Sequence, residues 1–184
     1  AKYRVCCKNP SQFWIVLGET HMASIKMPYP AIIAHRGACG YLPEHTLPAV
    51  ELAHELDADY IEQDVVLTSD GVPLVLHDVT LELTTNVATV FPNRHRGDGL
   101  FYAIDFTLEE IKTLRAHERT DPQGNPVFPG RYSGDGIEFT VPTLAEEIQT
   151  IDRLNRASNK RTGVYIELKR PEFHELEGAD IYQA

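Results

Sequence analysis

Seven residues able to do chemistry stand in or directly after apolar, strand-like runs: His35 and Arg36 after AIIA, Glu62 and Asp64 in YIEQDVVL, His77 in PLVLHD, and Glu167 and Lys169 in VYIELK. Glu62, Asp64 and Glu167 are hard oxygen donors of the kind that hold Mg²⁺ or Ca²⁺. Crowded together without a cation they would repel one another and raise each other's pKa values. Histidines such as His35 and His77 pass protons in either direction near neutrality. Arg36 and Lys169 offer donors to oxyanions, Arg with two at once. The combination suits a site that handles phosphate.

Each piece alone has an ordinary structural explanation. A His-Arg pair at a strand end is commonly satisfied by nearby carbonyls, Glu62 and Asp64 would serve on a solvated strand edge, and Glu167 with Lys169 on a surface ion pair. The weight comes from repetition, since four strand-like runs in one chain end in the same way. No Cys/His cluster has zinc spacing, and no DxDxDG loop fixes a calcium site locally.

The elements that must deliver these residues can be read from the pattern. Strands are predicted near 31–35, 60–66, 73–77 and 164–168, and LPAVELAHEL at 47–56 has helical spacing with Pro48 in its first turn. The Ser69-Asp70-Gly71 stretch between β-rich runs signals a hairpin. With a two-residue Asp70-Gly71 turn, Asp64 lies directly opposite His77, and Glu62 shares that face. A one-residue slip would turn His77 away. Residues 86–103 read as a long loop over the strand ends. Thr107 with Glu110 predicts a capped helix through about Ala116, Thr143 with Glu146 another to about Asn155, and 121–141 reads as loop.

The chain has 184 residues, 42% of them hydrophobic, and a formal net charge of -10. Such acidity argues against a generic nucleic-acid or anionic-membrane binder, so an anionic substrate must meet local positive charge. Three cysteines make no disulfide framework, and Cys39 reads as a small filler. No apolar run is long enough to span a membrane, and residues 1–29 lack the pattern of a signal peptide. His45 is expected to organise the PEHT loop, whereas His21, His54, His95, His117 and His174 read as surface residues.

In their order, HRG, PEHT, ExD, the DG turn before HD, and ExK resemble the glycerophosphodiester phosphodiesterase family, over about Pro30 to Gln183. The insertion VFPNRHRGDGLFYAIDFTLEEIKTL resembles the bacterial periplasmic subgroup. The resemblance implies an α/β fold of the TIM type, a (β/α)8 barrel. It also implies cleavage of a glycerophosphodiester to glycerol 3-phosphate and an alcohol, through a cyclic phosphate. His35 and His77 would act as acid and base, Arg36 and Lys169 would hold phosphate, and Glu62, Asp64 and Glu167 would bind a divalent cation, Ca²⁺ favoured and Mg²⁺ the alternative. A periplasmic address is implied too, with the cytoplasm as the alternative. Neither nucleic acid nor a transmembrane segment is expected, and oligomeric state has no signature in the sequence.

A whole barrel of this type takes about 250 residues, so the chain is expected to hold roughly its first half: an extension of unknown role over 1–29, then a partial domain over 30–184. Two other readings fit the same residues. One is an incomplete barrel without catalysis, confined to binding. The other is a phospholipase D of the spider-toxin type, whose disulfide pattern is absent here.

Overall fold

The computed structural model describes residues 14–15, 30–132 and 136–184. Apart from Trp14 and Ile15, the extension predicted over 1–29, with Cys6, Cys7 and His21, lies outside the described residues. Five strands form one sheet: β1 (Trp14–Ile15), β2 (Ile33–Ala34), β3 (Tyr60–Leu67), β4 (Pro73–Val75) and β5 (Gly163–Leu168). Strands β2, β3 and β5 run parallel, β3 in the middle, while β1 pairs antiparallel with the far edge of β5. The sheet is open. These three parallel strands belong to a partial barrel, and β4 is the antiparallel return of a hairpin that hangs from β3.

Period-two side-chain alternation gives the sheet two faces. Ile61, Val65 and Leu67 of β3 join Val164, Ile166 and Leu168 of β5 in one buried cluster, which includes Val50 and Ala53 of α1 (Leu47–Glu55) and Ile151 of α4 (Leu144–Ser158). Each such aliphatic side chain contributes about 1.5–3 kcal/mol by leaving water. The opposite face carries Glu62 and Asp64 on β3, and Tyr165 and Glu167 on β5, so the polar residues of the two strands stand together. A second apolar cluster, with Val66, Leu74, Leu76, Phe101, Phe106 and Leu114, packs the hairpin against the loop that follows it.

Three expectations about the elements need correction. The helix after Thr107 has its capping box, but α3 (Leu108–Ile111) is one turn long and ends well before Ala116. Leu114 is drawn into the second cluster, and Ala116 donates to the Phe139 carbonyl, which pulls the chain out of helical geometry. The helix capped by Thr143 runs further than expected, to Ser158, and stops at Asn159 in the left-handed region. The long loop over 86–103 contains a short helix, α2 (Val87–Val90), and ends in a 3-10 turn at Ala103–Asp105. Helix α5 (Pro171–Leu176) follows β5.

The hairpin register is the consequential correction. Val65 pairs with Val75 and Leu67 with Pro73, and the Thr68 amide donates to the Val72 carbonyl. The loop is therefore Ser69-Asp70-Gly71, three residues, with Gly71 at φ +76° closing it as the left-handed residue of a bulge. Two outside bonds favour this form: the Ser69 amide donates to Phe106, and the Asp70 carboxylate accepts from the Leu108 amide. Leu76, not His77, lies beside Asp64, and its amide donates to the Asp64 carbonyl.

Candidate active site

The site lies where β2, β3 and β5 all end, at the C-terminal edge of the parallel strands, the edge that barrel enzymes use for catalysis. After β2 the chain turns sharply, with Arg36 at φ +57° and Gly37 at φ +74°. A Cβ on Gly37 would come within 3.0 Å of the Ala49 backbone in α1, so the loop can sit flat on the helix only with glycine there. The Ala38 amide donates to the Ala49 carbonyl, and the His45 amide to the Arg36 carbonyl, which ties PEHT to HRG.

These ties gather the charges around Asp64. Its carboxylate, 1% exposed, accepts from His45 Nε2 at 2.9 Å, lies 3.4 Å from Arg36 Nε and 3.4 Å from Lys169 Nζ. Glu62 accepts the Arg36 amide at 2.8 Å. Glu167 stands in register with Asp64 on the adjacent strand and pairs with Lys169 at 2.9 Å. His35 is exposed at the mouth, where the fields of Arg36, Asp64, His45 and Glu44 reach it. Although out of the ladder, His77 is near enough for its charge to act on Asp64, and its Nδ1 is held 2.8 Å from Asp78.

The electrostatics follow from burial and neighbours. Burial alone would raise Asp64, but the His45 hydrogen bond and charge, followed by Lys169 and His77, hold it well below the usual carboxylate range. Glu62 goes the other way, raised first by burial and then by the Asp64 charge beside it. Burial lowers His45, against the hydrogen bond and charge of Asp64, which act to raise it. His35 is lowered by partial burial and by the adjacent Arg36 guanidinium.

Donor atoms of His45, Glu62 and Asp64 converge within 4.8 Å of one another. Asp64 Oδ1 is buried and, beyond its 3.4 Å ion pair with Lys169, completes no hydrogen bond, and Glu62 is pushed up to about 8, first by burial and then by the Asp64 carboxylate. Both are what a divalent cation would relieve, so the residues present fit such an ion.

Several participants were given no place at the centre of the site by the sequence. His45, expected only to organise its loop, is the buried partner of Asp64. Glu44 accepts a forked pair of bonds from Arg119, at 3.1 and 2.6 Å, and another from Arg36 at 3.2 Å. Arg119 also donates to Asp78 at 2.6 Å. Two histidines read as surface residues are buried: His54 is 4% exposed where α1 meets Asn155 of α4, and His174 is 1% exposed in α5.

The strand ends of this partial parallel barrel thus gather carboxylates, histidines, an arginine and a lysine, the class of site that can hold an anion beside a cation. Residues 35–183 match the glycerophosphoryl diester phosphodiesterase family, and the chain belongs to it. The chain is 44% identical over 168 residues to a glycerophosphodiester phosphodiesterase of Haemophilus influenzae, covering 90% of this chain and 45% of that one. A Treponema pallidum protein of the same name is 44% identical over 153 residues, covering 82% and 43%. Among solved structures, a phosphodiesterase of Oleispira antarctica in complex with the product sn-glycerol-3-phosphate superimposes with a TM-score of 0.55 at 31% identity, over 80% of this chain and 48% of that one. A Silicibacter pomeroyi structure shares the fold, with a TM-score of 0.57 at 24% identity. These neighbours are (β/α)8 barrels, and the chain spans about half the length of the relatives it matches. No helix among the described residues is long and apolar enough to cross a membrane.

Proposed function

We propose that this chain carries the catalytic residues of a metal-dependent glycerophosphodiester phosphodiesterase, which releases glycerol 3-phosphate and an alcohol. The observation that carries the reading is the convergence of Glu62, Asp64 and His45 beside Arg36 and Lys169 at the strand ends of a family member. Glu62, Asp64 and Glu167 would hold the cation, with His45 at the same centre, and the ion would offset phosphate charge and acidify a bound hydroxyl. Ca²⁺ is the ion we favour, from the resemblance to the bacterial periplasmic subgroup, with Mg²⁺ the alternative.

Arg36 and Lys169 take the phosphate oxygens, exchanging part of their present carboxylate contacts for the substrate. One of His35 and His77 accepts the proton of the attacking hydroxyl as the new P–O bond forms. The other delivers a proton to the departing alkoxide as the old P–O bond breaks, and water later supplies the atoms of net hydrolysis. Because Asp78 holds Nδ1 of His77, Nε2 is the atom that faces substrate.

The test is release of glycerol 3-phosphate from glycerophosphoethanolamine by the full chain. Activity should vanish on chelation and return with Ca²⁺ more fully than with Mg²⁺. His35→Ala and His77→Ala should each lower turnover on the order of 10²-fold or more. Full activity after metal removal, or unchanged rates in both variants, would refute the reading.

A further inference from the structure

Arg119 lies in the stretch between α3 and α4, far in sequence from every motif of the site, yet its guanidinium is mostly buried within it. Its backbone is pinned on both sides: the His117 amide donates to Thr84 and the Thr120 amide to Leu83, both at 2.9 Å. Its own carbonyl accepts from the Val127 amide. From this fixed point the side chain spans two loops. Nε and Nη2 fork onto Glu44 of the PEHT loop, and Nη1 reaches Asp78 at 2.6 Å. The other oxygen of Asp78 lies 2.8 Å from His77 Nδ1.

The geometry is that of a clamp. Asp78 has two oxygens, one committed to a guanidinium whose backbone cannot drift and the other to an imidazole nitrogen. A carboxylate is acceptor only, so the ring nitrogen it faces must carry the proton. We infer that Arg119 is a positioning residue, which by holding Asp78 against Glu44 fixes His77 in the Nδ1–H tautomer with Nε2 directed at the substrate. No other cation among the described residues is paired with Asp78. Without Arg119, Asp78 is free to rotate about its side-chain torsions, and the ring of His77 loses the partner that sets its tautomer. A lysine at 119 carries the charge but not the fork, and cannot hold both carboxylates in the same geometry.

The inference rests on His77 being one of the proton-transfer residues, and two readouts separate the two ideas. The first is the ¹⁵N tautomer signature of His77 in the full-length chain, compared between wild type, Arg119→Met and Arg119→Lys. Wild type should show the Nδ1–H form, Arg119→Met a mixture, and Arg119→Lys an intermediate spectrum. A His77 signature unchanged in both variants would overturn the inference, whatever the activity. If Arg119→Met does not fold, the Lys variant alone decides, since its spectrum either moves or does not. The second readout is turnover of glycerophosphoethanolamine, expected to fall on the order of 10-fold in Arg119→Met and to recover partly in Arg119→Lys. A shifted tautomer with unchanged turnover, together with an unchanged His77→Ala rate, supports the clamp and removes His77 from the mechanism. A shifted tautomer with unchanged turnover, while His77→Ala is impaired, overturns the catalytic value of the clamp.

Discussion

On one face of β3, Glu62 and Asp64 are buried among Arg36, Lys169 and His45; on the other face of the same strand, Gln63 is buried against Glu147 of α4 and meets no cation. Both faces are closed to water, yet they settle their polar groups differently. Asp64 is held ionised by neighbouring positive charge. Glu147 is raised well above the ordinary value by burial, which the Gln63 amide opposes and the Glu62 and Glu146 charges reinforce. Burial alone therefore does not mark a functional carboxylate. Converging opposite charges and a lone pair left open at the mouth of the strands mark one.

The largest expected effect tests the inner face. Asp64→Ala strands Arg36 and Lys169 in the site without their shared partner, and should cost about 3–5 kcal/mol in urea unfolding. A cost below about 1 kcal/mol would mean that these charges are not coupled in the folded chain. Next comes the apolar part of the outer face. Leu67, 1% exposed, should cost about 2–4 kcal/mol on truncation to Ala, with smaller values showing that α1 and α4 can collapse onto the gap.

Gly71→Ala sharpens the comparison from the hairpin side, because it forces a Cβ into the left-handed region that sets which β4 residues lie beside each face of β3. The expected loss is about 1–2 kcal/mol; an unchanged midpoint would show that the loop tolerates another form and that the register is set elsewhere. The smallest effect has the opposite sign. Folded Glu147 keeps a proton that the unfolded chain releases above its ordinary pKa, so its contribution is harmless below about pH 4. The contribution turns destabilising as pH rises toward the folded value. Glu147→Gln has no proton to lose, and should stabilise by about 1 kcal/mol or more at pH 8, with the gain fading by pH 4. A gain independent of pH would mean that Glu147 titrates alike in the folded and unfolded chain, and would contradict the raised folded value.

The site residues on strands were legible because strand periodicity and motif order put them on one face: Glu62 with Asp64, and Glu167 in register beside them. The hairpin was legible too, but not its register. A Ser-Asp-Gly stretch allows a two- or a three-residue loop, and the choice was made by bonds to Phe106 and Leu108 that no local pattern contains. His77 reaches the site by leaving the ladder rather than by pairing across it. Arg119 was invisible for a related reason, since its partners Glu44 and Asp78 are 75 and 41 residues away and only tertiary docking brings them together. The burial of His54 and His174 was likewise decided by helix packing, which short polar stretches do not reveal.

The face of β3 that carries Glu62 and Asp64, and not the face that carries Gln63 and Leu67, is the one we propose to take a divalent cation. Titration calorimetry of Ca²⁺ into the metal-stripped chain, beside Asp64→Asn and Glu147→Gln, tests it directly. One binding event is expected in the wild type, retained in Glu147→Gln and lost in Asp64→Asn. Binding that survives in Asp64→Asn, or that disappears in Glu147→Gln while the variant stays folded, would contradict it.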